Sequence, residues 1–172
     1  MNKLRELMMY DAYMKAPKEL GKAYLHICCS DTGVKSVFFC DSKIINENPN
    51  DIALCCIDQL QNYFKGLQRS FDLPLDLKGS NFQKKVWEHL CEIKFGETKS
   101  YKEIALQLGG SNYSRAVGTA NSKNPISIII PCHRVIANDG KLSGYAGGAE
   151  IKKWLLEHEK NVLLNHHQNK HS

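Results

Sequence analysis

The chain has 172 residues, of which 42% are hydrophobic and 24% charged, so it is long and apolar enough to bury a core and is not a disordered chain. Its longest unbroken apolar run, residues 52–57, falls far short of the about 20 residues of a membrane-spanning helix, and residues 1–20 hold no apolar stretch of signal-peptide length. The formal charge of +5 is unevenly placed: residues 1–80 hold ten Lys/Arg and ten Asp/Glu, whereas residues 81–172 hold thirteen and eight. A polyanionic partner for the C-terminal half is therefore open, beside the plainer reading of a solvated surface.

In chain order, residues 23–29 and 34–40 are rich in strand formers around the turn chemistry of 30–33, and predict two short strands. Residues 51–67 predict a helix: Ala53, Cys56, Ile57, Leu60, Phe64 and Leu67 follow a 3.6-residue period, with Asp51 as its cap. Residues 71–79, with Pro74 and Gly79, read as an extended linker. The seven cysteines are odd in number and form no Cys-x-x-Cys pair, so reduced thiols in a cytosolic or nuclear compartment are expected. Cys55 and Cys56 fall in the helical pattern as packing residues.

The second half opens on a capping-box pair, Ser80 with Gln83, followed by Phe82, Val86, Leu90 and Ile93 on one face. Ser100 with Glu103 repeats the pattern, and Gly109-Gly110 breaks the short helix that follows. A third helix is expected from about Tyr113 to Ser122. Two short helices about a glycine turn outline a helix-turn-helix, a weak signal taken alone. Residues 128–130, all Ile, read as a short buried strand running into Pro131-Cys132-His133-Arg134. A thiol is nucleophilic only as thiolate, so Cys132 needs a base or positive surroundings, and His133 and Arg134 adjoin it. Neighbours on extended chain face opposite ways, so His133 reaches the thiol only through a backbone turn or a bridging water. A bare Cys-His pair is more often a buried structural Cys beside a surface His. Residues 140–148 form a glycine-rich loop around Tyr145, suited to a planar ligand or to a plain turn. A last helix, about 149–160, sets Ile151, Trp154, Leu155 and His158 on an apolar face with Glu159 beside it. That carboxylate is either a solvated neighbour or the group that orients a histidine. The residues from 163 on are polar and His-rich, and read as a mobile tail.

Together these residues resemble the O6-alkylguanine-DNA alkyltransferases. The resemblance covers about 73–159 and rests on Asn81-Phe82-Gln83, Val86-Trp87, Ser100-Tyr101, Ile104-Ala105, Arg115-Ala116-Val117-Gly118, Asn124-Pro125, Pro131-Cys132-His133-Arg134-Val135, Gly144-Tyr145-Ala146-Gly147-Gly148 and Lys153-Trp154-Leu155-Leu156 with Glu159. The first 70 residues match only loosely. The resemblance implies an α+β chain: a small ribonuclease-H-like α/β domain at 1–78, a winged-helix-like domain with the helix-turn-helix at 79–162, and the tail at 163–172. It implies direct reversal of DNA damage, in which the protein binds the minor groove of duplex DNA containing O6-alkylguanine, rotates the base out and moves the alkyl group irreversibly to itself. O4-alkylthymine is a second substrate to consider.

By the same resemblance Cys132 is the alkyl acceptor, His133 its base through a water, and Glu159 the acid orienting that histidine. Tyr101 helps rotate the nucleotide and donates to N3, and Arg115 fills the vacated stack. Ala116 and Lys123 join the DNA contacts, and Asn124 is the hinge side chain. The Cys132 and Val135 carbonyls accept from the exocyclic amine, and Tyr145 and Ala146 line the pocket. No cofactor and no metal are implied: His26, Cys28 and Cys29 do not reproduce the zinc set of some members. A monomer in the absence of DNA is expected, with no membrane partner, cytoplasmic or nuclear according to source. The departures are Ala146 where some members carry Ser, Lys94 for Pro, Ser80 for Thr, and Tyr113 for a small residue at the head of the recognition helix. The rival readings are a non-catalytic lesion-sensing DNA-binding protein, which would lack the acceptor cysteine, a helix-turn-helix regulator, and a cysteine hydrolase, which would need a direct Cys–His contact.

Overall fold

The computed structural model describes residues 8–142 and 144–168. Ser143 of the glycine-rich loop, and residues 169–172 of the expected tail, lie outside them. The chain divides into two units, Met1–Lys78 with Pro125–Ser127, and Gly79–Asn124 with Ile128–Ser172.

In the first unit three antiparallel strands, β1 (Tyr10–Lys15), β2 (Tyr24–Cys29) and β3 (Val34–Cys40), pair in that order. β1 is a strand that the sequence pattern did not announce. Leu25, Ile27 and Cys29 alternate along β2 and are fully buried, as the period of two requires. Helix α1 (Asp51–Phe64) packs on this sheet through Ala53, Cys56, Leu60 and Tyr63. Full burial of a large apolar side chain such as Leu60 contributes about 1.5–3 kcal/mol. The cap of α1 is Asn50 and not Asp51: the Asn50 side chain accepts from the Ala53 amide at 2.9 Å. The far edge of β3 is not left open. Val34 pairs with Leu75 of the linker, and Val37 with Ile126, in isolated parallel bridges that occupy its unpaired backbone groups.

The second unit is built from helices. Both expected capping boxes form, Ser80/Gln83 opening α2 (Asn81–Cys91) and Ser100/Glu103 opening α3 (Tyr101–Gln107). After the turn at Gly109-Gly110 comes a 3-10 turn, Ser111–Tyr113, and then α4 (Ser114–Ser122). Trp87 of α2 donates from Nε1 to the Ala120 carbonyl at 3.0 Å, tying α2 to α4. Two-residue strands β4 (Lys99–Ser100) and β5 (Val135–Ile136) pair in parallel. Helix α5 runs Ala149–Gln168, so residues 163–168 continue the helix rather than begin a tail. No helix among the described residues is long and apolar enough to cross a membrane.

Residues 128–130 correct a second expectation. They are buried but do not form a strand, and Ile128 has φ 72°. A β-branched residue in the left-handed region is strained, and the surrounding packing must hold it there. The chain then closes into a 3-10 turn, Cys132–Arg134.

Candidate active site

The turn through Cys132–Arg134 changes the geometry of the Cys-His pair. The Cys132 amide donates to the Ile130 carbonyl at 2.8 Å, and the Val135 amide to the Cys132 carbonyl. Cys132 is 3% exposed. Asn124, buried as well, donates from Nδ2 to Cys132 Sγ at 3.0 Å and to the Ile130 carbonyl at 2.8 Å. Burial pushes the Cys132 thiol up to about 11, against the opposing pull of the Asn124 hydrogen bond, the Lys152 charge and local backbone amides.

His133 is fully buried. Its Nε2 lies 2.7 Å from Glu159 Oε1, while its Nδ1 has no hydrogen-bond partner among the described residues. Burial, with the Arg134 and Lys152 cations nearby, lowers its pKa in spite of Glu159, so the ring is neutral. An anionic carboxylate must accept, so Nε2 carries the hydrogen and Nδ1 presents the lone pair of a base. Burial alone would raise the Glu159 pKa. Hydrogen bonds and charge from His133 and Arg134 outweigh it and hold the carboxyl at about 2. Arg134 donates from Nε to both carboxylate oxygens at 3.2 and 3.0 Å, and from Nη2 to Oε1 at 2.9 Å. Its Nη1 donates to the Ile93 carbonyl at 2.6 Å, and the Gly96 amide reaches Glu159 Oε2 at 2.8 Å.

Two charged residues here take parts that the sequence reading did not give them. Arg134, noted there as a positive neighbour of Cys132, is the ion partner of Glu159. Lys152, fully buried in the first turn of α5, holds Nζ 5.9 Å from the Tyr101 ring centroid and acts electrostatically on Cys132. The buried stripe of α5 is Ile151, Lys152, Leu155 and Glu159, whereas Trp154 and His158, expected there, stack on each other at 5.0 Å.

A cavity of about 780 Å³ opens beside the helix-turn-helix, lined by Tyr101, Ser114, Arg115, Gly118, Ser122 and Gly144 among others. It brings together Tyr101 and Arg115 of the expected residues. Burial raises the Tyr101 pKa, with Cys132 adding to the shift. Gly144 has φ 71°, and a Cβ there would sit 3.3 Å from the Tyr101 hydroxyl. Ala116 and Lys123 are exposed on and just after α4. Val135 and Tyr145 are buried, and Ala146 is exposed. None of these three lines that cavity. Tyr113 is 41% exposed, its ring 6.1 Å from that of Phe82.

Fold and site together define a protein whose second unit holds a buried cysteine, Cys132, a carboxylate-anchored imidazole and a helix-turn-helix. Residues 81–161 match the family described as "6-O-methylguanine DNA methyltransferase, DNA binding domain", and residues 9–77 its "ribonuclease-like domain". The chain belongs to the 6-O-methylguanine DNA methyltransferase family, and its architecture is the expected α+β pair of a ribonuclease-like and a DNA-binding domain. A methylated-DNA–protein-cysteine methyltransferase of Methanosarcina barkeri is 59% identical over 105 residues, covering 61% of this chain and 66% of that one. One from Mycobacterium bovis is 56% identical over 104 residues, covering 60% and 63%. These alignments thus span just under two thirds of the curated relatives. The crystal structure of Mycobacterium tuberculosis O6-methylguanine methyltransferase superposes with a TM-score of 0.78 at 40% identity, covering 90% of this chain and 94% of that one. A structure of the M. tuberculosis protein in complex with DNA gives 0.78 at 39%, covering 89% and 94%.

Proposed function

We propose that this chain repairs DNA by direct reversal, moving the alkyl group of O6-alkylguanine in duplex DNA to Cys132 in one irreversible turnover. The observation that carries the reading is the His133 ring: Nε2 fixed on Glu159 at 2.7 Å, with the Nδ1 lone pair unclaimed among the described residues beside the Cys132 turn. Residues 79–162 form the DNA-binding and acceptor domain. The helix-turn-helix meets the minor groove through Arg115, Ala116 and Lys123, and Arg115 takes the place of the extruded base. The protein is a monomer without DNA, cytoplasmic or nuclear according to source.

In the reaction His133 Nδ1 takes the thiol proton through a bound water. Sγ attacks the O6-alkyl carbon in line, the new S–C bond forms, and the C–O6 bond breaks with its electron pair going to the guanine. Tyr101 delivers a proton to N3, because neutral guanine leaves more readily than its anion. The proton lost by the thiol replaces it through solvent, so the net change is thiol to thioether and alkylguanine to guanine. A thioether does not hydrolyse, and that limits the protein to one turnover.

The test is the intact mass of the protein after incubation with a duplex containing O6-methylguanine. One methyl gained and mapped to Cys132 is the expected result. Lesion binding without mass gain refutes transfer, and a Cys132→Ala protein that still gains the methyl refutes the acceptor.

A further inference from the structure

Ile151, Leu155 and Glu159 stand four residues apart along α5, and all three are buried. Leu163 is next in that line, since side chains four apart share a helix face. It is half-buried, and it belongs to the stretch expected as a tail. The residue it meets is Gly96, beyond the end of α2. Gly96 has φ 80°, and a Cβ there would fall 2.2 Å from Leu163 Cδ1. Only a glycine lets the leucine come so close. The same Gly96 donates its amide to Glu159 Oε2 at 2.8 Å. The residues before it hold the ion partner of that carboxylate. The Ile93 carbonyl accepts from Arg134 Nη1 at 2.6 Å, and the Phe95 ring centroid lies 5.7 Å from the guanidinium carbon. Residues 93–96 thus clamp the Glu159–Arg134 pair, and Leu163 covers the last of them.

We propose that Leu163 is a positioning residue for the transfer reaction: it presses on Gly96, holds that amide on Glu159, and keeps water from the carboxylate that orients His133. This rests on the transfer reading above. A hydrogen bond to a carboxylate is of the stronger kind, and it stays strong only where water is kept out. The charged groups acting on His133 are Glu159 and Lys152 of α5 and Arg134 of its own turn, and burial outweighs them. The ring is held below its ordinary 6.5, so at mildly acid pH it stays neutral and able to accept a proton at Nδ1. Leu163→Ala removes the branched end of the side chain from over Gly96 and admits water. Water brings a shifted group back toward its ordinary value. His133 then becomes protonated at higher pH, and a protonated ring cannot take the proton of the thiol.

The test follows single-turnover methylation of Cys132 on a duplex containing O6-methylguanine across the pH range, with duplex affinity measured alongside. In Leu163→Ala the rate at about pH 6 falls about tenfold, its decline on the acid side begins at higher pH, and duplex affinity is unchanged. A smaller folded fraction lowers the amplitude of a single turnover and leaves the pH profile in place, so a merely structural role does not move this readout. Leu163→Met, which keeps the bulk, restores the profile that Leu163→Ala loses. Gly96→Ala approaches the contact from the other side: its methyl drives Leu163 away and moves the profile in the same direction. The double variant then loses less than the product of the two single losses. An unshifted profile in Leu163→Ala, or losses that multiply, overturn the assignment. Failure of the natural protein to methylate Cys132 sinks the transfer reading itself, and is told apart by that result.

Discussion

Replacing Glu159 with Gln tests the centre of the buried network. The carboxylate receives His133 Nε2 and Arg134 Nη2 on Oε1, the Gly96 amide on Oε2, and Arg134 Nε on both oxygens. Glutamine keeps one of those oxygens and replaces the other with a donor. If its amide nitrogen stands in for Oε2, it meets the Gly96 N–H and the Arg134 Nε–H, donor against donor. If it stands in for Oε1, it faces Arg134 Nη2, and His133 must shift its hydrogen to Nδ1 to accept at Nε2. Either way Arg134, 5% exposed, loses its counter-charge. Removing one partner of a buried pair costs about 3–5 kcal/mol. The second orientation also takes the lone pair from Nδ1, so transfer to Cys132 falls with stability. Urea unfolding followed by tryptophan fluorescence reads the loss, because both tryptophans, Trp87 and Trp154, lie in the second unit. A loss below about 1 kcal/mol refutes the buried-network argument. The double variant Glu159→Leu with Arg134→Met removes both charges, and is expected to cost less than the sum of the single changes.

With a thiol pKa of about 11, iodoacetamide labelling of Cys132 accelerates about tenfold per pH unit between roughly pH 7 and 10, and a flat profile refutes it. Lys152→Met removes a cation that opposes the thiol's upward shift, so labelling at fixed pH slows; unchanged labelling shows that the charge does not reach the sulfur. The folded-state pKa of Glu159, about 2, lies below its unfolded value, so its contribution is complete above about pH 4.5 and is lost as pH falls toward 2. That contribution is on the order of 3 kcal/mol, and acid titration of Glu159→Gln is expected to show a shallower stability loss over that window. Arg115→Ala weakens binding to the lesion duplex, because nothing then fills the place of the extruded base; unchanged binding refutes that role.

What the sequence showed and hid follows from the range of the forces involved. Both capping boxes were legible, since donor and acceptor lie three residues apart in Ser80/Gln83 and Ser100/Glu103. β1 was not. Its Tyr10, Asp11 and Lys15 look polar until His26 closes on Asp11 at 2.7 Å and stacks on Tyr13, contacts that span 13 to 15 residues. The three isoleucines at 128–130 carry strand propensity, but the left-handed backbone at Ile128 is imposed by packing and leaves no local trace. Family motifs located Cys132, His133 and Glu159. They did not show that the charge of Glu159 is matched by Arg134, nor that Lys152 is buried, because helical spacing says which residues share a face and not which face is dry.

The two pKa values at the centre bear on how the reaction starts. The thiol stands at about 11, and the imidazole below its ordinary 6.5. Moving the proton from Cys132 to His133 before any bond forms is therefore unfavourable, since burial disfavours both charged forms. A thiolate held in advance would react faster, but would also be open to any stray electrophile. Under the proposed transfer the acceptor is used once and premature alkylation is a permanent loss, so a protonated resting thiol would preserve it. The proton must then leave as sulfur meets the alkyl carbon, when the developing S–C bond makes the thiol acidic. The groups around it suit that moment: Asn124 Nδ2 at 3.0 Å and the Lys152 charge favour negative sulfur, and His133 Nδ1 has its lone pair ready. In the proposed reaction the lesion would complete the acid–base chemistry that the resting site holds in check, and burial of Cys132 protects the thiol until then.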